Sequence, residues 1–578
     1  MNPTFHLGIT MAGAVSAGAY TAGFMDYILE ALEEWEKAKE INRKYKPGDK
    51  EYNNKIPMHD VVIDALGGAS AGGMVSMITA LSFYYKKIKP VTNVSYSKTG
   101  NILYDSWVFL DDDLKGDGTG KTTFEKMLST DDIKSKKAAS SLLNSKPIDA
   151  IAEQVFYNLP ADAHKNNFPR YISRDLRVIL TLTSLKPVDY IVNFSRIKSA
   201  FMDTTPGHRI SNHEIICHFK VNFDIKKDKD IYLPFQPKEK KSRDFLMNVT
   251  KATGAFPVGL EPRHFSGEFT KGYVEKSLSR REEFTKGMDV RFDIRANDFK
   301  FTAVDGGTIN NEPFDEVIRS LVSKYGPPDP KKPRYGTIMV DPFPNFEYGL
   351  NSAEPDFQES ITAVVGKIIP TILNQARNKR NDTFGIGFLK LMAFPIKWEK
   401  KGSLKPYPPL ATSGLGGFGG FLDVNFRVHD FFLGRDNAKN FLRAFLFLEF
   451  DPENPSYLFK NVHPEAVKTF SRTIIDKSTN TSKTYLPIIP DISFINGDKN
   501  PYSYKVNDFP KLNKEKFQQL RSPIKKRVKA ILKLEIKQRT KKGILRALIM
   551  LVSPGIVNKI TKWVMEAIEK DFTKRQQM

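Results

Sequence analysis

Ser70 lies at the centre of a small-residue turn and is a candidate nucleophile. It stands between Gly68 and Gly72, in the small-residue stretch that ends the apolar run beginning with the β-branched residues 61–63, and helical apolar spacing follows it. This is the spacing of a nucleophile elbow, in which flanking glycines let strand and helix pack closely beneath the serine. The Ala71 amide would then face developing negative charge at the helix N-terminus. A glycine-rich turn with a capping serine explains the same stretch equally well.

A second turn of small residues follows an earlier predicted strand, residues 5–10. Gly13, Ala14 and Val15 begin this turn, and a helix is predicted after it from the apolar spacing of residues 24–35. Small side chains leave backbone amides unobstructed, as an oxyanion hole requires. Tight helix packing would favour the same composition.

A carboxylate occupies a similar glycine-rich setting far along the chain. Asp305 precedes Gly306 and Gly307, and residues 310–313 continue Asn-Asn-Glu-Pro. A serine nucleophile needs a base, and a carboxylate with an ordinary pKa near ~4 is a weak one at neutral pH. Partial desolvation would have to raise the pKa of Asp305. An isolated Asp-Gly pair more often forms a turn whose carboxylate bonds local amides.

Together these segments resemble the patatin-like phospholipases, which have a glycine-rich first loop, a serine after the next strand and a later Asp-Gly-Gly motif. The stretch 251–257 is similar to the small-residue segment that precedes the aspartate in that family, and residues 244–250 before it are amphipathic. Here Ala14 and Val15 stand where the family commonly has further glycines. The resemblance implies no metal or cofactor. It implies these roles: Ser70 as nucleophile, Asp305 as the base that takes the serine proton directly, Gly13, Ala14, Val15 and Ala71 as oxyanion donors, and Gly68, Gly72, Gly306 and Gly307 as supporting glycines.

The resemblance also implies an α/β fold, a patatin-like three-layer α/β/α hydrolase core over residues 1–345. Strands are predicted at 176–183, 217–221 and 336–340. A mainly helical extension, residues 346–500, is expected to pack on the core, and residues 501–578 form a basic tail.

The expected reaction is hydrolysis of a phospholipid or another lipid acyl ester through an acyl-enzyme. Two alternatives remain open. A Ser-Asp-His triad would use His429 or His463, which preserve the chain order of α/β-hydrolases. A catalytically silent lipid-binding scaffold is the other alternative.

The insertion at residues 86–170 is rich in Lys, Ser and Asp, and it is either a lid or a set of solvated loops. Its triplet Asp111 to Asp113 lacks EF-hand spacing, which favours a surface loop over a cation site. In the extension, a helix kinked at Pro370 is predicted over about residues 355–380. The glycine run 414–421 lacks the Gly-Lys-Ser/Thr ending of a phosphate-binding loop.

Net charge indicates an anionic partner. The 578 residues carry a formal charge of +22, with a pI near 9.5, and 40% are hydrophobic. Lys and Arg interleave with apolar residues over 521–549, a basic amphipathic pattern that fits an anionic membrane surface. Packing of its apolar stripe on the protein fits the same pattern. No recognised nucleic-acid motif is present, so no nucleic-acid partner is expected.

Cys217 is the single cysteine, which excludes an intrachain disulfide and a Cys-based zinc cluster. No signal peptide is evident at the N-terminus, and the longest apolar window of the tail, residues 547–552, is far shorter than the ~20 residues that span a bilayer. The sequence therefore predicts a cytoplasmic or peripheral membrane protein.

Overall fold

The structure is a computed structural model that describes residues 2–85, 89–113, 120–134, 136, 138–164, 168–193, 208–280, 289–329, 332–343, 389–396, 409–476, 481–498, 509–539 and 543–578. The helix predicted over residues 355–380 lies outside these ranges.

The core is a mixed sheet whose central strands are parallel. Strand order is β10-β9-β1-β2-β3-β4-β5, the neighbours from β10 to β3 run parallel, and β4, β7 and β8 each pair antiparallel with β3 while β6 pairs with β8. The strands are β1 Thr4–Met11, β2 Asp60–Gly68, β3 Ile172–Asn193, β4 His208–Lys220, β5 Leu233–Pro234, β6 Arg263–Phe265, β7 Asp289–Phe292, β8 Phe301–Asp305, β9 Tyr335–Val340 and β10 Leu389–Ala393.

Strand register brings the two predicted catalytic segments together. Gly68, at the end of β2, pairs with Leu180 of β3, and two residues further along β3 Leu182 pairs with Asp305, at the end of β8. The serine turn and the aspartate therefore meet at one edge of the sheet, although 235 positions separate them in sequence.

Helices cover both faces of the sheet. A Cβ on Gly68 would meet the backbone of the helix Ser70–Ser82, whereas a Cβ on Gly67 would meet Val317 of the helix Phe314–Tyr325, and neighbouring strand residues point to opposite faces. The longer helices are α1 Gly18–Asn42, α2 Ser70–Ser82, α5 Lys146–Tyr157, α7 Lys240–Thr253, α8 Lys271–Ser279, α9 Phe314–Tyr325, α10 Val424–Ala444, α13 Arg521–Arg539 and α14 Gly543–Lys574, and the shorter ones are α3 Ile102–Tyr104, α4 Thr123–Met127, α6 Ile225–Asp228, α11 Pro464–Phe470 and α12 Lys514–Gln519.

The region beyond residue 345 is built into the core. Strand β10 pairs with β9 and extends the central sheet. The expected boundary at residue 345 therefore does not separate the sheet of the core from the extension. Helix α10 packs closely on α1, because a Cβ on Gly23 would lie 1.9 Å from the Phe431 carbonyl oxygen. Arg435 of α10 also forms a buried ion pair with Asp26 of α1. A small antiparallel sheet completes this region, with the strands β11 Phe447–Glu449, β12 Arg472–Asp476 and β13 Thr481–Pro487.

The last two helices enclose a second apolar cluster. It joins Ile524 of α13 and Phe572 of α14 to Phe421 of the glycine run and to Phe124 and Ile151 of the insertion. The tail is thus part of the packed structure.

Candidate active site

Ser70 adopts the strained geometry of a nucleophile elbow. It begins helix α2 with a φ of +51°, a left-handed value that costs energy for a residue with a Cβ. Its hydroxyl donates to Asp305 Oδ2 over 2.6 Å and does not cap the helix, so the alternative of a capping serine does not hold. Both residues are buried, with 6% and 4% exposure.

Asp305 has the surroundings of a general base. Its Oδ1 accepts the Gly307 amide at 2.7 Å, and its Oδ2 accepts the Ser70 hydroxyl. Burial raises the pKa of Asp305 to about 7, although the hydrogen bonds from Ser70 and Gly307 act to lower it. Near neutral pH this carboxyl is therefore about half ionised, and its ionised form can accept a proton.

Thr253, at the end of α7, holds the serine turn from behind. The Ser70 amide donates to Thr253 Oγ1 at 3.0 Å, and that hydroxyl donates to the Thr181 carbonyl at 2.9 Å. Thr253 is fully buried. Thr253 lies in the small-residue segment 251–257, but its local sequence predicts no role for it.

The first loop supplies fewer oxyanion donors than expected. The Gly13 amide donates to the Asn311 carbonyl at 3.2 Å, so the prediction of Gly13 as a donor is wrong in this geometry. The amides of Ala14 and Val15 have no acceptor within the described chain, and the Ala71 amide lies in the first turn of α2, where helix donors are unpaired. These three amides remain available to an oxyanion.

Asn311 fastens the first loop to the aspartate segment. Its side-chain amide donates to the Gly13 carbonyl at 3.3 Å, while its main-chain carbonyl accepts the Gly13 amide. A Cβ on Gly13 would lie 2.2 Å from Asn311 Oδ1 and 2.8 Å from Ser70 Cβ, so only glycine fits there. Gly13 therefore acts as a close-packing residue.

The glycine run of the extension lies against the first loop. Ser16 donates to the Gly417 carbonyl and accepts the Gly420 amide at 3.0 Å, and Leu415 donates to Asp571 of α14. These contacts use amides that a phosphate-binding loop would leave free, in agreement with the missing Gly-Lys-Ser/Thr ending. The run instead bonds to Ser16, the residue that follows Val15. Val15 has a φ of +50°, which is strained for a β-branched residue.

An apolar cavity opens beside Ser70 and Asp305. Its lining includes Met74 and Ile78 of α2, Trp107 and Leu110 of the insertion, Ile148 and Ile151 of α5, and Phe256, Leu260 and Phe421. The insertion and the extension thus both contribute side chains to the wall of the site.

The insertion is less solvated than its composition indicates. Asp112 was expected in a surface loop, yet its side chain is fully buried and pairs with the buried guanidinium of Arg427. Asp112 Oδ1 also accepts the amide and hydroxyl of Thr123. The ion pair with Arg427, which is distant in sequence, buries Asp112 although its local sequence is polar. Motion of the insertion as a lid stays a prediction.

The two candidate triad histidines bond elsewhere. His429 Nδ1 lies 2.7 Å from Asp430 Oδ1, and His463 Nδ1 caps helix α11 by accepting the Glu465 amide. Among the described residues, no histidine hydrogen bonds to Ser70 or Asp305. The triad therefore lacks its central member in this geometry.

The basic tail divides into bonded and solvated cations. Arg527 is buried, where it pairs with Asp132 and donates to the Leu142 carbonyl at 2.9 Å. The lysines of α13 are exposed and share one side of the helix: Lys525, Lys526, Lys529, Lys533 and Lys537. Across the described ranges no helix is long and apolar enough to cross a membrane, and no group of three or more His, Cys, Asp or Glu side chains could hold a metal ion.

Comparison with known proteins gives a relative without an assigned role. No family model matches the chain. The protein described as "Uncharacterized protein y4iI" from Sinorhizobium fredii (strain NBRC 101917 / NGR234) is 27% identical over 543 residues, which covers 84% of this chain and 71% of that protein. The similarity extends over most of the chain, and the description of the relative names no activity.

Proposed function

We propose that the chain is a patatin-like serine hydrolase that cleaves lipid acyl esters with a Ser70-Asp305 dyad. The observation that carries the proposal is the 2.6 Å bond from the Ser70 hydroxyl to Asp305, a carboxyl with a pKa of about 7. The apolar cavity beside this pair favours an acyl substrate over a polar one.

The reaction runs in two stages. Ser70 Oγ bonds to the ester carbonyl carbon while its proton passes to Asp305 Oδ2, and the amides of Ala14, Val15 and Ala71 hold the oxyanion. The alcohol leaves with the proton from Asp305, which produces an acyl-enzyme. Water then attacks the acyl carbon, Asp305 takes its proton, and the fatty acid leaves as Ser70 regains a proton.

We further propose that the protein works as a peripheral enzyme at an anionic phospholipid surface. The exposed lysines of α13 would face the lipid headgroups, and their contribution would fall as salt shortens the Debye length. Nucleic acid has no place in this proposal.

Labelling with a fluorophosphonate probe and turnover of a short acyl ester test the dyad. Ser70→Ala, Asp305→Asn and the double variant should each lose activity on the order of a thousandfold or more, without additivity, because the two residues act as one unit. His429→Gln and His463→Gln are the controls and should stay within about tenfold of wild type.

Other outcomes would reject the proposal in different ways. Near-normal turnover by folded Ser70→Ala would remove the nucleophile. A thousandfold loss in a folded histidine variant would favour the triad. Lipid binding by wild type without labelling or turnover would indicate the non-catalytic scaffold.

A further inference from the structure

A second buried carboxylate contacts the segment that follows Asp305. Glu214 of β4 is 2% exposed, and its Oε1 accepts the side-chain amide of Asn310 at 2.6 Å. Ile216, two positions further along β4, packs with Val317 of α9 in one apolar cluster, so Glu214 points to the same face of the sheet. The carboxylate is thus held inside the protein, where an acid without a hydrogen-bond partner would be costly.

Asn310 closes the turn that begins at Asp305. Its main-chain amide donates to the Gly306 carbonyl at 3.0 Å, and its main-chain carbonyl accepts the Thr181 hydroxyl at 3.0 Å. Asn310 is 6% exposed, and Glu214 is the acceptor that the structure gives its side-chain amide. A buried amide without an acceptor carries a free-energy penalty, so the turn would move to relieve it if Glu214 were lost.

The same turn holds the carboxylate of Asp305. Burial raises the pKa of Asp305, and the Gly307 amide, which donates to Asp305 Oδ1 at 2.7 Å, acts to lower it. Among the described residues Asp305 forms no ion pair, so its hydrogen bonds from Gly307 and Ser70 are the contacts that stabilise the ionised form. A shift of the turn would therefore change the proton affinity of the candidate base.

Glu214 and Asn310 lie outside the substrate cavity. The residues that line the cavity beside Ser70 include Asp305 but neither of these two. An effect of Glu214 on the reaction has to pass through the turn.

We propose that Glu214 is a positioning residue, which fixes the Asp305 turn through Asn310 and so keeps the Gly307 amide on the Asp305 carboxylate. The inference rests on the proposed hydrolase function.

The test compares pH profiles of kcat/KM for a soluble ester in wild type, Glu214→Ala and Glu214→Gln. Glu214→Ala should weaken the bond from Gly307, move the midpoint upward by about one pH unit and lower kcat at pH 7 by about fivefold or more, with KM little changed. Glu214→Gln keeps an oxygen acceptor for Asn310 and should restore the midpoint near 7. Thr253→Val is the matched control, because it disturbs the Ser70 turn and should leave the midpoint in place.

The double variant Glu214→Ala with Asn310→Ala serves if Glu214→Ala does not fold. It removes both partners and leaves no buried group of this pair unpaired, and its midpoint should rise as well. A midpoint near 7 in folded Glu214→Ala or in the double variant overturns the inference. An equal upward shift in Glu214→Gln also overturns it, since the hydrogen bond to Asn310 would then not be the cause.

A thermal measurement separates this inference from the function on which it rests. The gain in Tm that Asp305→Asn produces follows the ionisation of Asp305 and needs no catalysis. Added to Glu214→Ala, Asp305→Asn should give a gain that grows more between about pH 7 and pH 8.5 than it does in wild type, because a higher pKa extends the range of the penalty. If wild type hydrolyses no ester, the hydrolase proposal fails, and this measurement alone decides the role of Glu214. The same pH dependence of the gain in both backgrounds overturns that role.

Discussion

Asp305 is a carboxyl whose surroundings give it the proton affinity that a general base needs. Burial raises its pKa to about 7, and the hydrogen bonds from Ser70 and Gly307 limit the rise. A carboxyl with this pKa is about half ionised at neutral pH, so small changes in its surroundings alter the fraction of molecules in which Asp305 could act as a base.

The rate of ester hydrolysis should therefore fall as pH falls through the pKa of Asp305. We expect kcat/KM for a soluble ester to rise from about pH 5 and to reach a plateau above about pH 8, with a midpoint near 7. Initial rates across this range measure the midpoint. A flat profile, or a midpoint near the ordinary value of ~4, would contradict the role of Asp305.

The raised pKa of Asp305 makes the folded state less stable as pH rises, over the range in which activity should increase. A carboxyl whose folded-state pKa lies above its unfolded value makes the folded state bind protons more tightly, so stability falls as pH rises from about 4 to about 7. Asp305→Asn removes this penalty. The variant should have a higher Tm than wild type at pH 8 and a smaller advantage at pH 5, which thermal unfolding at the two pH values would show.

Local sequence indicated the candidate reacting residues but not all of the residues that position them. Ser70 and Asp305 each lie in a short glycine-rich motif with a recognisable spacing. Thr253 and Ser16 contact partners 183 and 401 positions away, so no local pattern indicates their roles. The motif predicts Gly13 as an oxyanion donor because it contains small residues with unobstructed amides. The hydrogen-bond partner of the Gly13 amide depends on the fold, which the motif does not show.

At the scale of elements, helix α7 fixes the serine turn through a single side chain. Thr253 at its end accepts the Ser70 amide and donates to β3, so helix, turn and strand share one hydroxyl. Loss of the Thr253 hydroxyl would leave the buried Ser70 amide unpaired, at a cost of about 1 to 3 kcal/mol. Without this bond the strained φ of Ser70 would relax.

Thr253→Val should therefore lower kcat by roughly tenfold to a hundredfold, with KM little changed, since Thr253 does not line the cavity beside Ser70. Thr253→Ser keeps the hydroxyl and should remain within about threefold of wild type. The pH midpoint should be the same in both variants, because Asp305 is untouched. Equal losses in the two variants would indicate a packing role without positioning.

Five of the ten described strands of the sheet, β1, β2, β3, β4 and β9, could be predicted because they contain apolar runs. The predictions at residues 5–10 and 336–340 correspond to β1 and β9, and the predicted strand 217–221 is the end of the longer β4. Strand β10 was missed, since its place beside β9 depends on a pairing over about fifty residues. The amphipathic stretch 244–250 lies within α7.

At the scale of the molecule, the insertion, extension and tail share one apolar cluster, and the insertion and the extension line the candidate active site. The buried pairs Arg427 with Asp112 and Arg527 with Asp132 join these regions. Composition left open whether the insertion is a lid or a set of solvated loops, and whether the tail binds a membrane or packs on the protein, because buried ion pairs cannot be identified from charge runs. Deleting the tail would expose Phe421 and leave Asp132 without its partner, so deletion is a poor test of lipid binding.

Charge reversal on the surface of α13 tests the membrane role while leaving the packed face intact. Lys525, Lys529 and Lys533 are exposed, and changing all three to Glu should weaken binding to anionic vesicles and reduce its salt dependence, because each cation contributes about 1 kcal/mol at such a surface. Turnover of a soluble ester should not change.

The matched control reverses the charge of Lys44, Lys46 and Lys50, which are exposed after the end of α1, and it has the same net charge as the α13 variant. Vesicle binding measured by flotation should fall much further in the α13 variant than in the control. Equal losses would mean that total charge governs binding, and the exposed lysines would then serve as a solvated face of a helix that packs on the protein.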